Sequence, residues 1–203
     1  MVRTYPRNVP IEIRSASADD EPTITEIRRE TWLTAYAQII DPEIIDRVTA
    51  PGGRASPAPR TDRTSLVAVA PEVAAPADAR MIVGYASYGP ERSVASAASV
   101  GSGAGAGAKP GALTPAGLAG ETGELYTLYV APAHWSTGAG RALTDTALDG
   151  LRAAGYQRVV LWTLTENARA RRFYDKAGFA PDGATNILDG LGNVEELRYV
   201  RDL

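Results

Sequence analysis

The chain contains no cysteine. That absence excludes disulfides, thiolate nucleophiles and cysteine-ligated metal sites. A single histidine, His134, excludes a histidine-rich zinc site as well. It could titrate near neutrality, but a lone loop histidine is read as exposed and incidental. There is no run of about 18 apolar residues, so no membrane-spanning helix is expected. Met1 to Pro10 lack the apolar centre of a signal peptide, and the cytoplasm is the expected compartment. No large charge excess exists either. A formal net charge of −3 argues against a general binder of nucleic acid or of anionic membranes. No repeat of solenoid length is present. What remains is 203 residues, 44% of them hydrophobic, enough for one domain with a real core.

The most informative stretch runs from Glu124 to Leu151. Residues 125–130 are β-branched, aromatic or aliphatic, and predict a buried strand opened by Glu124. Leu143, Ala147, Leu148 and Leu151 recur at helical spacing and predict an amphipathic helix. Between them Gly138 and Gly140 sit at the helix start. Strand, glycine loop and helix together aim unpaired backbone N–H groups, at the positive end of a helix dipole, toward an anion. The glycines alone fit a merely tight connection equally well. A P-loop is excluded, because Arg141-Ala142 stands where Lys-Ser/Thr is needed. A dinucleotide fingerprint is excluded too, because Ala142 and Leu143 stand where its third glycine belongs.

Around that centre, residues 11–15 alternate and predict a first strand. Asp19 and Asp20 are N-cap candidates for a helix with Pro22 in its first turn and Ile24, Ile27 and Thr31 on its buried stripe. Trp32 and Tyr36, spaced i and i+4, share a neighbouring face. Asp41-Pro42 starts a short second helix to about Val48. Strands follow at about 65–70 and 80–88. Residues 50–63 read as a mobile loop whose Arg54, Arg60 and Arg63 are solvated, with contact to a phosphate as the other reading. Residues 92–120, mostly Ala, Gly and Ser, cannot bury enough apolar surface to offset their ordering entropy. They read as a flexible insertion, with a lid over the site as the other reading. Gly155 fits a helix C′ position. Residues 159–165 predict an apolar strand, Asn167 caps a helix to Ala177-Gly178, Phe179-Ala180 begins a strand, and residues 194–201 form the last. The pattern is α/β, a mixed sheet with helices on both faces.

Two ordered segments resemble a known family. Trp135-Ser136-Thr137-Gly138-Ala139-Gly140 is similar to the Gln/Arg-x-x-Gly-x-Gly/Ala loop of the GNAT acyl-CoA N-acyltransferases, with Trp135 in place of the usual Gln or Arg. Asn167, Ala170, Phe173, Tyr174 and then Gly178-Phe179 are similar to the family's downstream signature. The resemblance covers roughly residues 11–203, read as a single N-acetyltransferase domain apart from the segments 50–63 and 92–120. It implies the GNAT fold, a mostly antiparallel mixed sheet in which two central strands splay apart around the cofactor. It also implies acetyl-CoA as co-substrate and no metal. The loop from Trp135 to Gly140 would hold the coenzyme A pyrophosphate, with Arg141 a phosphate candidate and Arg172 near the adenosine end. Backbone groups along Leu128, Tyr129 and Val130 would pair with the pantetheine arm, and Asn167 would bind it. Trp32 and Tyr36 would wall the acceptor site.

Acetyl transfer to an amine needs few parts. The amine, with a free pKa of about 10.4, must lose a proton before it attacks. The oxyanion needs a donor, and the leaving thiolate benefits from a proton. By the resemblance, Glu124 serves as the base and Tyr174 as the acid. Core packing for Tyr174 and for the Trp32–Tyr36 pair, a pure N-cap for Asn167 and a surface glutamate at a strand start remain the structural readings. The activity expected is direct transfer of an acetyl group to a primary amine of a small molecule or peptide through a ternary complex. A non-catalytic acyl-CoA sensor, or a transferase with a non-amine acceptor, is the alternative. A homodimer is allowed for.

Overall fold

In the computed structural model of the chain, which describes residues 10–50, 62–71, 80–92 and 121–203, seven strands form one sheet with helices on both faces. The elements are β1 (Glu12–Ser15), α1 (Glu21–Ala35), α2 (Pro42–Thr49), β2 (Thr64–Pro71), β3 (Arg80–Pro90), β4 (Thr122–Val130), α3 (Ala139–Ala153), β5 (Arg158–Leu164), α4 (Ala168–Lys176), β6 (Ala180–Leu188) and β7 (Val194–Asp202). The spatial order is β1-β2-β3-β4-β5-β7-β6. Every neighbouring pair is antiparallel except β4 and β5. The segments read as mobile, 50–63 and 92–120, fall mostly outside the described residues, with Arg54 and Arg60 among the residues not described.

Each helix forms because one stripe of it has a sheet face to cover. Leu143, Ala147, Leu148 and Leu151 of α3 bury themselves against β2–β5, joined by Tyr174 of α4 and by Ala177 just after it. Each of these fully buried leucines contributes roughly 1.5–3 kcal/mol of apolar burial. On the opposite face Ile24 and Ile27 of α1 pack on Val67, Val69 and Tyr85. Further along that face Trp32, with Ile45 and Val48 of α2, covers Leu164. Gly155, at φ 90°, ends α3 in the left-handed conformation expected of a C′ glycine. Asp20 departs from expectation. It precedes α1, but its carboxylate reaches back to the Ser17 N–H (2.7 Å) and to Arg14 (2.7 and 2.9 Å), not forward to a helix amide. The arginine holds its pKa well below the ordinary carboxylate range.

One break in the sheet positions everything that follows. Strand β4 pairs with β5 over Thr122, Gly123 and Glu124 only, although both strands run on. Just beyond, the register against β3 slips: Tyr88 faces Leu125 while Ser87 faces Thr127. Tyr126 is thus an extra residue in β4, a bulge that bends the strand. From there β4 follows β3 and leaves β5 behind. This is the splayed central pair the resemblance implies. Glu124 does not open the strand, as the sequence suggested. It is the third residue, inside the paired part.

Candidate active site

The split between β4 and β5 opens into a cleft of about 640 Å³. Its edge is backbone. The Ala131 N–H donates to the Val83 carbonyl at 2.8 Å, which fixes the alternation along β4. Tyr129 therefore bonds to β3, while the N–H and C=O groups of Leu128 and Val130 point into the split. The Val130 carbonyl is already engaged by Trp135 Nε1 (2.7 Å) and Thr31 Oγ1 (3.2 Å). The Val130 N–H and both groups of Leu128 face the cleft with no strand of the described residues beside them.

Past β4 the chain turns through Trp135 to Gly138 into α3. Ser136 (φ 65°) and Gly138 (φ 101°) both adopt the left-handed conformation, which curls the loop into a concavity of backbone amides. The Thr137 hydroxyl donates to the His134 carbonyl at 2.8 Å and pins the turn. The first helical hydrogen bond runs from the Ala142 N–H to the Gly138 carbonyl. The amides of Ala139, Gly140 and Arg141 precede it and have no intrahelical acceptor. The two glycines differ. At Gly138 a Cβ would meet nothing within 4 Å, so glycine answers to backbone conformation there. At Gly140 a Cβ would make ordinary contact with Phe173 and Val130 at 3.5–3.6 Å. Crowding does not require glycine at that position.

Trp135 now has a function in place of the missing Gln or Arg. Its Nε1 ties the loop to β4, and the Arg169 guanidinium lies 4.0 Å from its ring centre. By sequence alone Arg169, with Arg171 and Arg172, reads as a solvated face of its helix. Burial and the charge of Arg172 both lower the Arg169 pKa. Arg141, the expected phosphate ligand, turns back along α3 to Asp145 at 2.7 Å. His134 is not an exposed loop residue. It is buried, 2% exposed, and burial lowers its pKa, so the ring is neutral near pH 7.

On the second wall Asn167 caps α4: its Oδ1 accepts from the Ala170 N–H at 3.0 Å. Asn167 also lines the cleft, and its amide NH₂ takes no part in the cap. Tyr174 lines the same cavity, its ring wedged among Phe173, Phe179 and Tyr199 at centroid distances of 5.4–6.2 Å. Burial raises its pKa above the ordinary value of 10, so the hydroxyl keeps its proton through the neutral range.

The α1 side of the cleft is aromatic. Trp32 and Tyr36 meet edge to face at 5.2 Å, and Trp32 Nε1 donates to the Tyr129 hydroxyl at 3.0 Å. Tyr129, expected to serve the cofactor through its backbone, thus presents its side chain to the Trp32–Tyr36 wall. Both tyrosine hydroxyls have pKa values raised by burial. Glu124 is 1% exposed. Its Oε1 accepts from Arg92 Nε (2.9 Å) and Nη2, and its Oε2 from the Arg92 N–H (2.9 Å). Arg92 also stands over the Tyr126 ring at 5.0 Å. Sequence reasoning missed Trp162 and Glu196, which line the cleft from β5 and β7. The available signal for Glu196 was its place in β7: it shares a face with the apolar Val194.

Residues 24–179 match the model of the Acetyltransferase (GNAT) family. A mycothiol acetyltransferase of Beutenbergia cavernae is 57% identical over 60 residues, 30% of this chain and 20% of that protein. An uncharacterized N-acetyltransferase of Mycobacterium bovis is 36% identical over 80 residues, 39% of this chain and 51% of that one. The matched segments thus span a fifth to a half of these relatives. PaiA N-acetyltransferase from Thermoplasma acidophilum, solved with coenzyme A, superimposes with a TM-score of 0.60 over 96% of this chain and 99% of that one. Its identity of 19% speaks for the fold alone.

Proposed function

The chain belongs to the GNAT acetyltransferase family, and from that premise we propose that it is an acetyl-CoA-dependent N-acetyltransferase acting on a primary amine. The acetyl group moves directly, in a ternary complex, and the protein forms no covalent bond. The observation that carries this reading is the juxtaposition at the split: an unpaired β4 edge, a curled amide loop at the start of α3, and a buried tyrosine hydroxyl, all lining one cavity.

Bound acetyl-CoA supplies a thioester, whose C–S bond breaks as the amine nitrogen bonds to the acyl carbon. The amides from Thr137 to Arg141 receive the pyrophosphate, favoured by the α3 dipole. Leu128 and the Val130 N–H pair with the pantetheine amides as an added strand would. The Asn167 NH₂ donates to the same arm. A backbone N–H of the β4 edge receives the oxyanion. The Tyr174 hydroxyl, kept protonated by burial, donates to the departing sulfur. The amine's proton goes to a carboxylate at the split, where Glu124 and Glu196 both stand. Trp32, Tyr36 and Tyr129 form the acceptor wall.

The test is thiol release from acetyl-CoA with a panel of amines. A chain without cysteine adds no background to a thiol reagent. Amine-dependent release with formation of the acetylated amine supports the reading. Tight acetyl-CoA binding without release from any acceptor would instead indicate a sensor.

A further inference from the structure

Two carboxylates approach the split, and their surroundings differ. Glu124 lies beside Val160 in the paired part of the sheet, and both its oxygens are bound by Arg92. Its side chain is sealed from solvent and does not line the cleft. With both oxygens occupied and no part of the side chain lining the cleft, Glu124 has no route by which an amine could hand it a proton. Glu196 lies opposite Leu164 on β5 and Asn186 on β6, on the sheet face covered by α1 and α2. It lines the cleft with Trp162, Trp32 and Tyr36.

We propose that Glu196, and not Glu124, accepts the proton of the acceptor amine, and that the Glu124–Arg92 pair sets the charge around it. The proposal rests on the acetyl-transfer reading of the same cleft. The hydrogen-bond partner of Glu196 among the described residues is Asn186, whose Nδ2 donates to Oε1 at 3.0 Å. Asn186 engages that oxygen alone, and Glu196 lines the cleft. The charged groups around it are Arg92 and Glu124 across the split and Arg198 on its own strand. Arg198 is already bound by Asp182 (2.7 Å) and Glu91 (3.5 Å), so it does not neutralise Glu196. From the α1 side Tyr36 lines the same cleft, its hydroxyl kept protonated by burial. Burial first, and the Glu124 charge with it, raise the Glu196 pKa above the ordinary carboxylate value, while Asn186 and Arg92 act against the shift. A more basic carboxylate is a better acceptor, provided it is ionised at the working pH.

The protons balance. The incoming ammonium carries three and the amide product keeps one. One of the two lost protons goes to Glu196, directly or through a water, and from there to solvent. The second makes good the proton that Tyr174 gives to sulfur. The electron pair of the C–S bond leaves on sulfur, and no other reagent is needed.

The test compares Glu196→Gln, Glu196→Asp and Glu124→Gln, with acetyl-CoA affinity measured by calorimetry and kcat followed against pH. Glu196→Gln is expected to keep the parental acetyl-CoA Kd and lose about 10²-fold in kcat, the low end for general base catalysis. The loss should be largest at low pH, where the amine is most protonated. Glu196→Asp, a carboxylate on a shorter arm, should recover part of the rate. A parental kcat and pH profile in Glu196→Gln overturns the proposal. So does a loss of acetyl-CoA affinity that accounts for the whole effect, or a folded Glu124→Gln that alone reproduces the rate loss. A parent chain that neither binds acetyl-CoA nor releases thiol sinks the acetyl-transfer reading and the proposal together. A parent that does both, beside an unaffected Glu196→Gln, sinks the proposal alone.

Discussion

The two halves of the cleft are built on different terms. The half proposed to hold the donor is mostly backbone, drawn from three short segments: the β4 edge at Leu128 to Val130, Trp135 to Arg141, and Asn167 to Tyr174. The acceptor half is side chain, drawn one or two residues at a time from α1, β4, β5 and β7: Trp32, Tyr36, Tyr129, Trp162 and Glu196. Amides do not depend on residue type, so the donor half tolerates Trp135 where the family has Gln or Arg. The acceptor half has no such latitude, because the identity of each side chain is its contribution. A backbone site is therefore broken through conformation, and a side-chain site through chemistry.

The largest effect tests the one donor-half side chain proposed to do chemistry. Tyr174→Phe should lower kcat about 10²-fold while the acetyl-CoA Kd and the melting temperature hold, since the ring keeps its contacts with Phe173, Phe179 and Tyr199. An unchanged kcat would assign Tyr174 to packing. Next comes the backbone. Gly138→Val should raise the acetyl-CoA Kd about tenfold, because a left-handed conformation costs a branched residue roughly 1–2 kcal/mol and 1.4 kcal/mol is tenfold in affinity. Unchanged affinity in a folded variant, measured by calorimetry, would remove the loop from the donor site.

On the acceptor side, Trp32→Phe deletes the hydrogen bond to Tyr129 and keeps most of the ring. A net hydrogen bond of about 1 kcal/mol predicts roughly a fivefold rise in the acceptor KM with no change in acetyl-CoA affinity. A shift in the donor's affinity instead would merge the two halves. The smallest effect is Gly140→Ala, expected to change acetyl-CoA affinity less than about twofold, since the added methyl meets Phe173 and Val130 at ordinary distances and φ is not constrained. A loss as large as that of Gly138→Val would mean that the phosphate-side space, and not the backbone, selects both glycines.

The same contrast explains what the sequence made legible. The strand, loop and helix from β4 to α3, the Asn167 cap and the Tyr174 face are local patterns, carried by spacings of one to seven residues. The splayed pair came through the resemblance, since neither β4 nor β5 announces by itself where their pairing stops. The misreadings share a cause: partners distant in sequence. Glu124 looked like a strand-opening surface carboxylate because Arg92 lies 32 residues away, at the border of an Ala/Gly/Ser segment. His134 looked exposed because the elements that bury it are not its neighbours in sequence. Arg169 looked solvated because its aromatic platform, Trp135, belongs to another segment. Glu196 went unremarked because a strand with alternating charges reads as a solvated edge until its sheet is assembled.

The short pairing between β4 and β5 has a mechanical consequence. Three residue pairs, Thr122–Arg158 to Glu124–Val160, join β1–β4 to β5–β7–β6. The sheet is in effect two leaves on a short spine, with α3 packed mainly on one leaf and Asn167 and Tyr174 carried by the other. A molecule seated between the leaves touches both, so part of its binding energy goes into fixing the angle at which they stand. The spine does not need to hold that angle alone. Occupying the cleft is expected to stiffen the protein, and the amide protons of Thr122 to Glu124 and Arg158 to Val160 are the ones whose exchange with solvent records it.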